Sequence, residues 1–133
     1  MTYLKTKSTF SYNSGETLQR SHIYSSIPHC AYYACIQLMK HILIKCLSKD
    51  ERSMKVEMTN KKYNTHTYII ETIIDNLISR NINIREFRDE ITQLKRLRND
   101  ADYMDLEVTS IEGTNSLTLS NRVQTFLKRN YTV

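Results

Sequence analysis

Glycine and proline are nearly missing from this sequence: 133 residues contain 2 Gly and 1 Pro, and there is no Trp. A β-sandwich or barrel needs turn residues at short intervals, so the scarcity predicts a few long elements joined by short polar loops, which means helices. No apolar run reaches the roughly 18 residues of a membrane span, and the stretch Met1–Phe10 is too polar for the apolar core of a signal peptide. The 3 cysteines, Cys30, Cys35 and Cys46, are an odd number within one predicted helix, where bridging is geometrically awkward. The expectation is a reduced, cytoplasmic setting with no membrane. Gly-rich phosphate loops, Cys or His clusters at zinc spacing and a Gly-x-Ser-x-Gly elbow are also absent, so common enzyme classes find no support and neither cofactor nor metal is predicted. The length allows one domain with one core, placed over residues 1–133.

What the sequence does have is apolar periodicity of the helical kind. Asn13 and Glu16 stand at capping-box spacing, predicting a helix through Leu18 toward Ser21, with residues 1–12 a separate helix or an arm. Ser25, Ser26 and Pro28 mark the start of a second helix to about Leu47. Its apolar set, Ala31, Ala34, Cys35, Leu38, Met39, Ile42, Cys46 and Leu47, is widened by Tyr32, Tyr33, Ile36, Leu43 and Ile44, which predicts the central, most buried helix. Its small residues should let neighbours approach closely. Residues 48–62 show alternating charge and little periodicity, and predict an exposed loop. A further helix starts near Asn64 or Thr65, buries Tyr68, Ile69, Ile70, Ile73, Ile74, Leu77 and Ile78, and stops at Ser79-Arg80-Asn81. The next takes Ile84, Phe87, Ile91, Leu94, Leu97 and Ala101 on its apolar side. Thr109 and Glu112 open a last helix through Leu119, Val123, Phe126 and Leu127, irregular until about Leu117 because of Gly113, Thr114, Asn115 and Ser116. Together these predict an all-α, up-and-down antiparallel bundle of four to five main helices.

Net charge is +5, with basic clusters at Lys61–Lys62, Arg85/Arg88, Lys95/Arg96/Arg98 and Lys128–Arg129, so nucleic acid is a permitted partner. The four histidines, His22, His29, His41 and His66, stand singly, and none has metal-ligand spacing. The chemically dense stretch is Lys95-Arg96-Leu97-Arg98-Asn99-Asp100-Ala101-Asp102-Tyr103, where Arg98 reaches Asp102 at i,i+4 and an ion pair is expected. On residue types alone it also fits a helix-end network in which Asp102 orients Arg98 and Tyr103 packs its ring on the bundle.

His29-Cys30-Ala31-Tyr32-Tyr33-Ala34, preceded by serine and proline, resembles the Tyr-Tyr-Ala segment of one subfamily of HEPN domains (higher eukaryotes and prokaryotes nucleotide-binding). Thr65-His66 is similar to that subfamily's helix-opening histidine, and Arg98-Asn99-Asp100-Ala101-Asp102-Tyr103 to its Arg-x-x-Ala-Asp-Tyr. Ser110-Ile111-Glu112 and the late aromatic Phe126 also agree, so the resemblance spans roughly residues 18 to 130. It implies a bundle that pairs across its motif helices into a homodimer, with two motifs facing one cleft. Active members are metal-independent ribonucleases of toxin-antitoxin and phage-defence systems. In their motif an arginine binds the scissile phosphate and a histidine handles the proton of the attacking 2′-hydroxyl. Others bind RNA without cleavage, or serve as interaction modules for small nucleotidyltransferases that act as antitoxins.

The resemblance marks Arg98, Asn99, Lys95 and Arg96 as candidates for binding RNA or another anion. Five residues after Arg98 stands Tyr103 where the family has its histidine. A phenol with an ordinary pKa of about 10 is a poor base near neutral pH. Binding is therefore expected ahead of cleavage. Arg98, Asp102, Tyr103 and His66 are the candidate catalytic groups, with Asp102 or His66 replacing the missing base if the third predicted helix lies alongside.

Overall fold

Residues 27–45 have apolar side chains on more than one face, and the fold surrounds them with four other helices. The computed structural model describes residues 2–133, in which α1 (Leu4–Arg20), α2 (Ile27–Lys45), α3 (Glu51–Lys61), α4 (Thr65–Ser79), α5 (Arg85–Tyr103) and α6 (Ser110–Tyr131) follow one another without a strand. α2 packs against α1, α4, α5 and α6. Ile27, Ala31, Tyr32, Ala34, Cys35, Leu38, Met39, Ile42 and Leu43 are wholly buried along it. α4 closes the core with Ile73, Ile74 and Leu77, α5 with Phe87, Ile91 and Leu94, and α6 with Leu117, Val123 and Leu127. Ile78, expected inside, is half exposed at the end of α4.

The chain reverses from α1 to α2, from α4 to α5 and from α5 to α6, while α2 and α4 run the same way. Ser8 and Gly15 of α1 meet Ala34 and Cys30 of α2 in falling order, so these two run antiparallel. Gly113, Ser120 and Tyr131 of α6 meet Ile27, Ala31 and Cys46 in rising order, so α6 runs parallel to α2. α4 also follows α2, from His66 beside Tyr32 to Asn76, whose side chain accepts from Tyr131 at the far end. α5 returns antiparallel to α6, with Phe87 stacked on Phe126 and Glu90 paired with Arg122. The result is an up-and-down bundle of five long helices and the 11-residue α3.

Four details depart from the sequence expectation. α1 is continuous, and Asn13 and Glu16 lie inside it rather than at a start. Its buried residues are Ser8 and Gly15, so it docks through small and polar groups that leave no apolar period. Residues 51–61 form α3 instead of a loop, capped by Asp50, whose carboxylate accepts from the Ser53 amide at 2.7 Å. Only Met54 is buried there, too little for a pattern to show. α6 is regular from Ser110, because the Thr109–Glu112 capping box forms and Gly113 lets the helix meet Gln19 and Ile27 closely. Ser26 stands at the start of α2 as expected, but its side chain makes no capping bond.

The small residues of α2 do admit close neighbours. Ser8 Oγ donates to the Ala34 carbonyl at 2.6 Å and Ser120 Oγ to the Ala31 carbonyl at 2.7 Å. All three cysteines are free. No helix among the described residues is long and apolar enough to cross a membrane.

Candidate functional site

Because α5 runs against α2 and α4, its C-terminal turns arrive where those two helices begin. That end of the bundle collects His29, Tyr32 and Tyr33 from α2, His66 from α4, and Arg98, Asn99, Asp102 and Tyr103 from α5. The first turns of α2 and α4 direct their unpaired amides to the same end, adding positive potential.

Arg98 is the centre of the group, its side chain only 12% exposed. Its Cζ lies 5.6 Å from the ring centre of Tyr32 and 5.4 Å from those of Tyr33 and Tyr103, so three tyrosines enclose the cation. Nη1 donates to Asn99 Oδ1 at 3.0 Å, while Nη2 reaches the hydroxyls of Tyr33 at 3.3 Å and Tyr103 at 3.5 Å. Nε lies 3.0 Å from Asp102 Oδ2, the i,i+4 ion pair expected from the sequence. The Nε–H is not aligned for a hydrogen bond, so charge rather than hydrogen bonding holds that contact. A guanidinium has five N–H groups. One on Nη1 has no protein acceptor among the described residues.

Asp102 Oδ2 also faces His29 Nδ1 at 3.0 Å. The His29 ring stacks on Tyr33, with centroids 4.5 Å apart, and its side chain is 47% exposed. On another side of Tyr33 stands His66, its ring centre 5.4 Å away and its Nδ1 3.2 Å from the Tyr32 hydroxyl. Burial, then the charges of Arg98 and Lys95, pull the His66 pKa below its ordinary value, so it is neutral near pH 7. Burial pushes the Tyr32 phenol up, so it keeps its proton, and also raises the Cys30 thiol, helped by the Asp102 charge. Cys30 is therefore not a ready nucleophile.

Of the residues singled out in the sequence, Arg98, Asn99, Asp102, Tyr103 and His66 come together, with Lys95 close enough to act on His66. Arg96 does not join them: it is exposed, and two positions from Arg98 it points about 200° away around the helix. Tyr103 does not pack its ring into the bundle but lies 72% exposed as the outer wall of the Arg98 cage. His29 is the member that sequence reading passed over, since as a lone histidine on a helix it carried no spacing signal. Its link to Asp102 spans 73 positions and exists only in the fold.

Beside His29 a groove of about 330 Å³ runs between α1 and α2, lined also by Lys7, Phe10, Ser14 and Tyr33. No group of three or more His, Cys, Asp or Glu side chains among the described residues is placed to hold a metal ion. In comparison with known proteins, no family model matches the chain, and neither a curated protein nor a solved structure is significantly similar to it.

Proposed function

We propose that this chain is a HEPN-like, ribonuclease-related RNA-binding protein, cytoplasmic and homodimeric, of a toxin-antitoxin or phage-defence system with a nucleotidyltransferase antitoxin. The observation that carries the RNA-binding reading is the Arg98 cage: a cation held in one orientation among three tyrosines, with a donor to spare, beside a Tyr33 ring that two imidazoles flank. Its bonds to Tyr33 and Tyr103 are at the long end of the hydrogen-bond range, so a phosphate oxygen competes well for those donors. The homodimer, the defence setting and the antitoxin partner rest on the HEPN resemblance. Fluorescence anisotropy with a labelled single-stranded RNA at low salt tests binding. Wild-type protein should bind, and Arg98→Ala should bind much more weakly while keeping its helical circular dichroism. No binding by the wild type at low salt, where phosphate contacts are strongest, defeats the reading.

A second reading, the non-catalytic interaction module, draws on the surface beside the cage. Tyr103, Met104, Leu106 and Ile111 are all more than half exposed, close together in sequence about the α5–α6 connection and interspersed with Asp105 and Glu107. Exposed apolar residues grouped in this way mark a surface that a partner covers. If RNA binding is absent and a nucleotidyltransferase is retained by these residues, the module reading replaces the first.

A further inference from the structure

The motif of the family that this chain resembles has its proton-handling histidine five to seven positions after the arginine, where this chain has Tyr103, Met104 and Asp105. The fold brings another group to Arg98 from a different helix. We infer that His29, oriented by Asp102, is the general base that activates the 2′-hydroxyl of RNA bound at Arg98, a cleavage that rests on the RNA-binding reading above.

Three observations support the assignment. Asp102 Oδ2 lies 3.0 Å from both Arg98 Nε and His29 Nδ1, and a carboxylate oxygen beside a guanidinium accepts, which assigns the ring proton to the Nδ1 facing it. The lone pair of a neutral His29 is then on Nε2. The ring is held by stacking on Tyr33 and yet is half exposed, so a substrate can reach it. Asp102 also touches Arg98, so one carboxylate positions both the base and the phosphate-binding cation. His66 lacks such a partner: its Nδ1 meets the Tyr32 phenol, which offers no charge to stabilise an imidazolium.

The groove beside His29 has room for the nucleotide that supplies the 2′-hydroxyl. Phe10 offers an exposed ring there for a base to stack on, and Lys7 a charge for the neighbouring phosphate. In the reaction the 2′-hydroxyl proton passes to His29 Nε2, the O2′–P bond forms and the P–O5′ bond breaks. The departing 5′ oxygen takes a proton from water, and His29 returns its proton to solvent. Arg98 stabilises the charge on the phosphoryl oxygens as the bond order changes. The products are a 2′,3′-cyclic phosphate and a 5′-hydroxyl.

The test incubates the full chain with end-labelled single-stranded RNA in EDTA and identifies product termini by mass spectrometry, with DNA of the same sequence as control. RNA should be cut to cyclic-phosphate ends and DNA left intact. His29→Ala and His29→Gln should each lose at least about 100-fold in cleavage rate while RNA affinity stays within about twofold, and added imidazole should restore part of the His29→Ala rate. Asp102→Asn, a positioning change, should lower kcat more than it raises KM. Wild-type protein that binds RNA without cutting it overturns the inference and leaves the RNA-binding reading standing. Cleavage that survives both His29 variants also overturns it. Absence of RNA binding removes the reading and the inference together.

Discussion

Asp102 Oδ2 lies 3.0 Å from His29 Nδ1 and 3.0 Å from Arg98 Nε, so a single carboxylate oxygen links the start of α2 to the last turns of α5. The His29 side of this link is half exposed, and exposed pairs add little to stability. His29→Ala should therefore change the unfolding free energy by less than about 1 kcal/mol. Urea denaturation checks this, and a larger loss would make the pair a structural fastening.

Arg98→Lys should separate charge from geometry. A lysine keeps the charge but loses the planar fork that meets Asn99, Tyr33 and Tyr103. RNA affinity should fall while its dependence on salt concentration stays close to wild type. Arg98→Ala should flatten that dependence by about one phosphate contact. Equal salt slopes for wild type and Arg98→Ala would place the bound phosphates elsewhere.

Leu38 is wholly buried in α2, facing the core that α4, α5 and α6 enclose. Leu38→Ala should destabilise the protein by about 2 to 5 kcal/mol, measured by urea unfolding, through lost burial and the cavity left behind. A loss well under this range would mean that the surrounding helices collapse into the space.

Gly15 tests whether α1 docks as described. At an ordinary helix site Gly→Ala gains about 1 kcal/mol. A Cβ on Gly15 would meet Leu117 Cδ2 at 3.0 Å, closer than an ordinary contact, and Cys30 Cβ at 3.4 Å, at the ordinary van der Waals limit. Gly15→Ala should therefore lower the melting temperature, whereas Ser14→Ala, on the exposed side of the same helix, should not. A more stable Gly15→Ala would show that α1 shifts freely on α2.

Acid should weaken the fold before the carboxylates titrate. Burial and nearby cations lower the pKa values of His66 and His41 below 6.5 in the folded chain. Below that value the unfolded chain takes up protons that the folded chain refuses, so stability is complete above it and falls as pH drops through it. Asp50 and Glu57, lowered from 3.8 and 4.5, contribute stability that is lost only at lower pH still. His66→Gln should flatten the decline in urea midpoint between about pH 7 and about pH 5.5. An unchanged slope would mean that His66 is not kept neutral.

The sequence by itself determined the fold class, because scarce glycine and proline and the apolar periods of residues 27–45, 64–79 and 84–101 permit little besides antiparallel helices. It also located the Arg98–Asp102 pair and the capping box at Thr109, which depend on spacings within one helical turn or so. It did not disclose α1 and α3 as they stand. Those helices attach through Ser8, Gly15 and Met54, too few and too small to leave a period. Only the tertiary structure decided that His29 and His66, each unremarkable on its own helix, flank Tyr33 beside Arg98. Local sequence fixes which residues share a helix face. Which faces meet is set by the reversal of α5 against α2 and α4, a consequence of packing the whole chain around one buried helix.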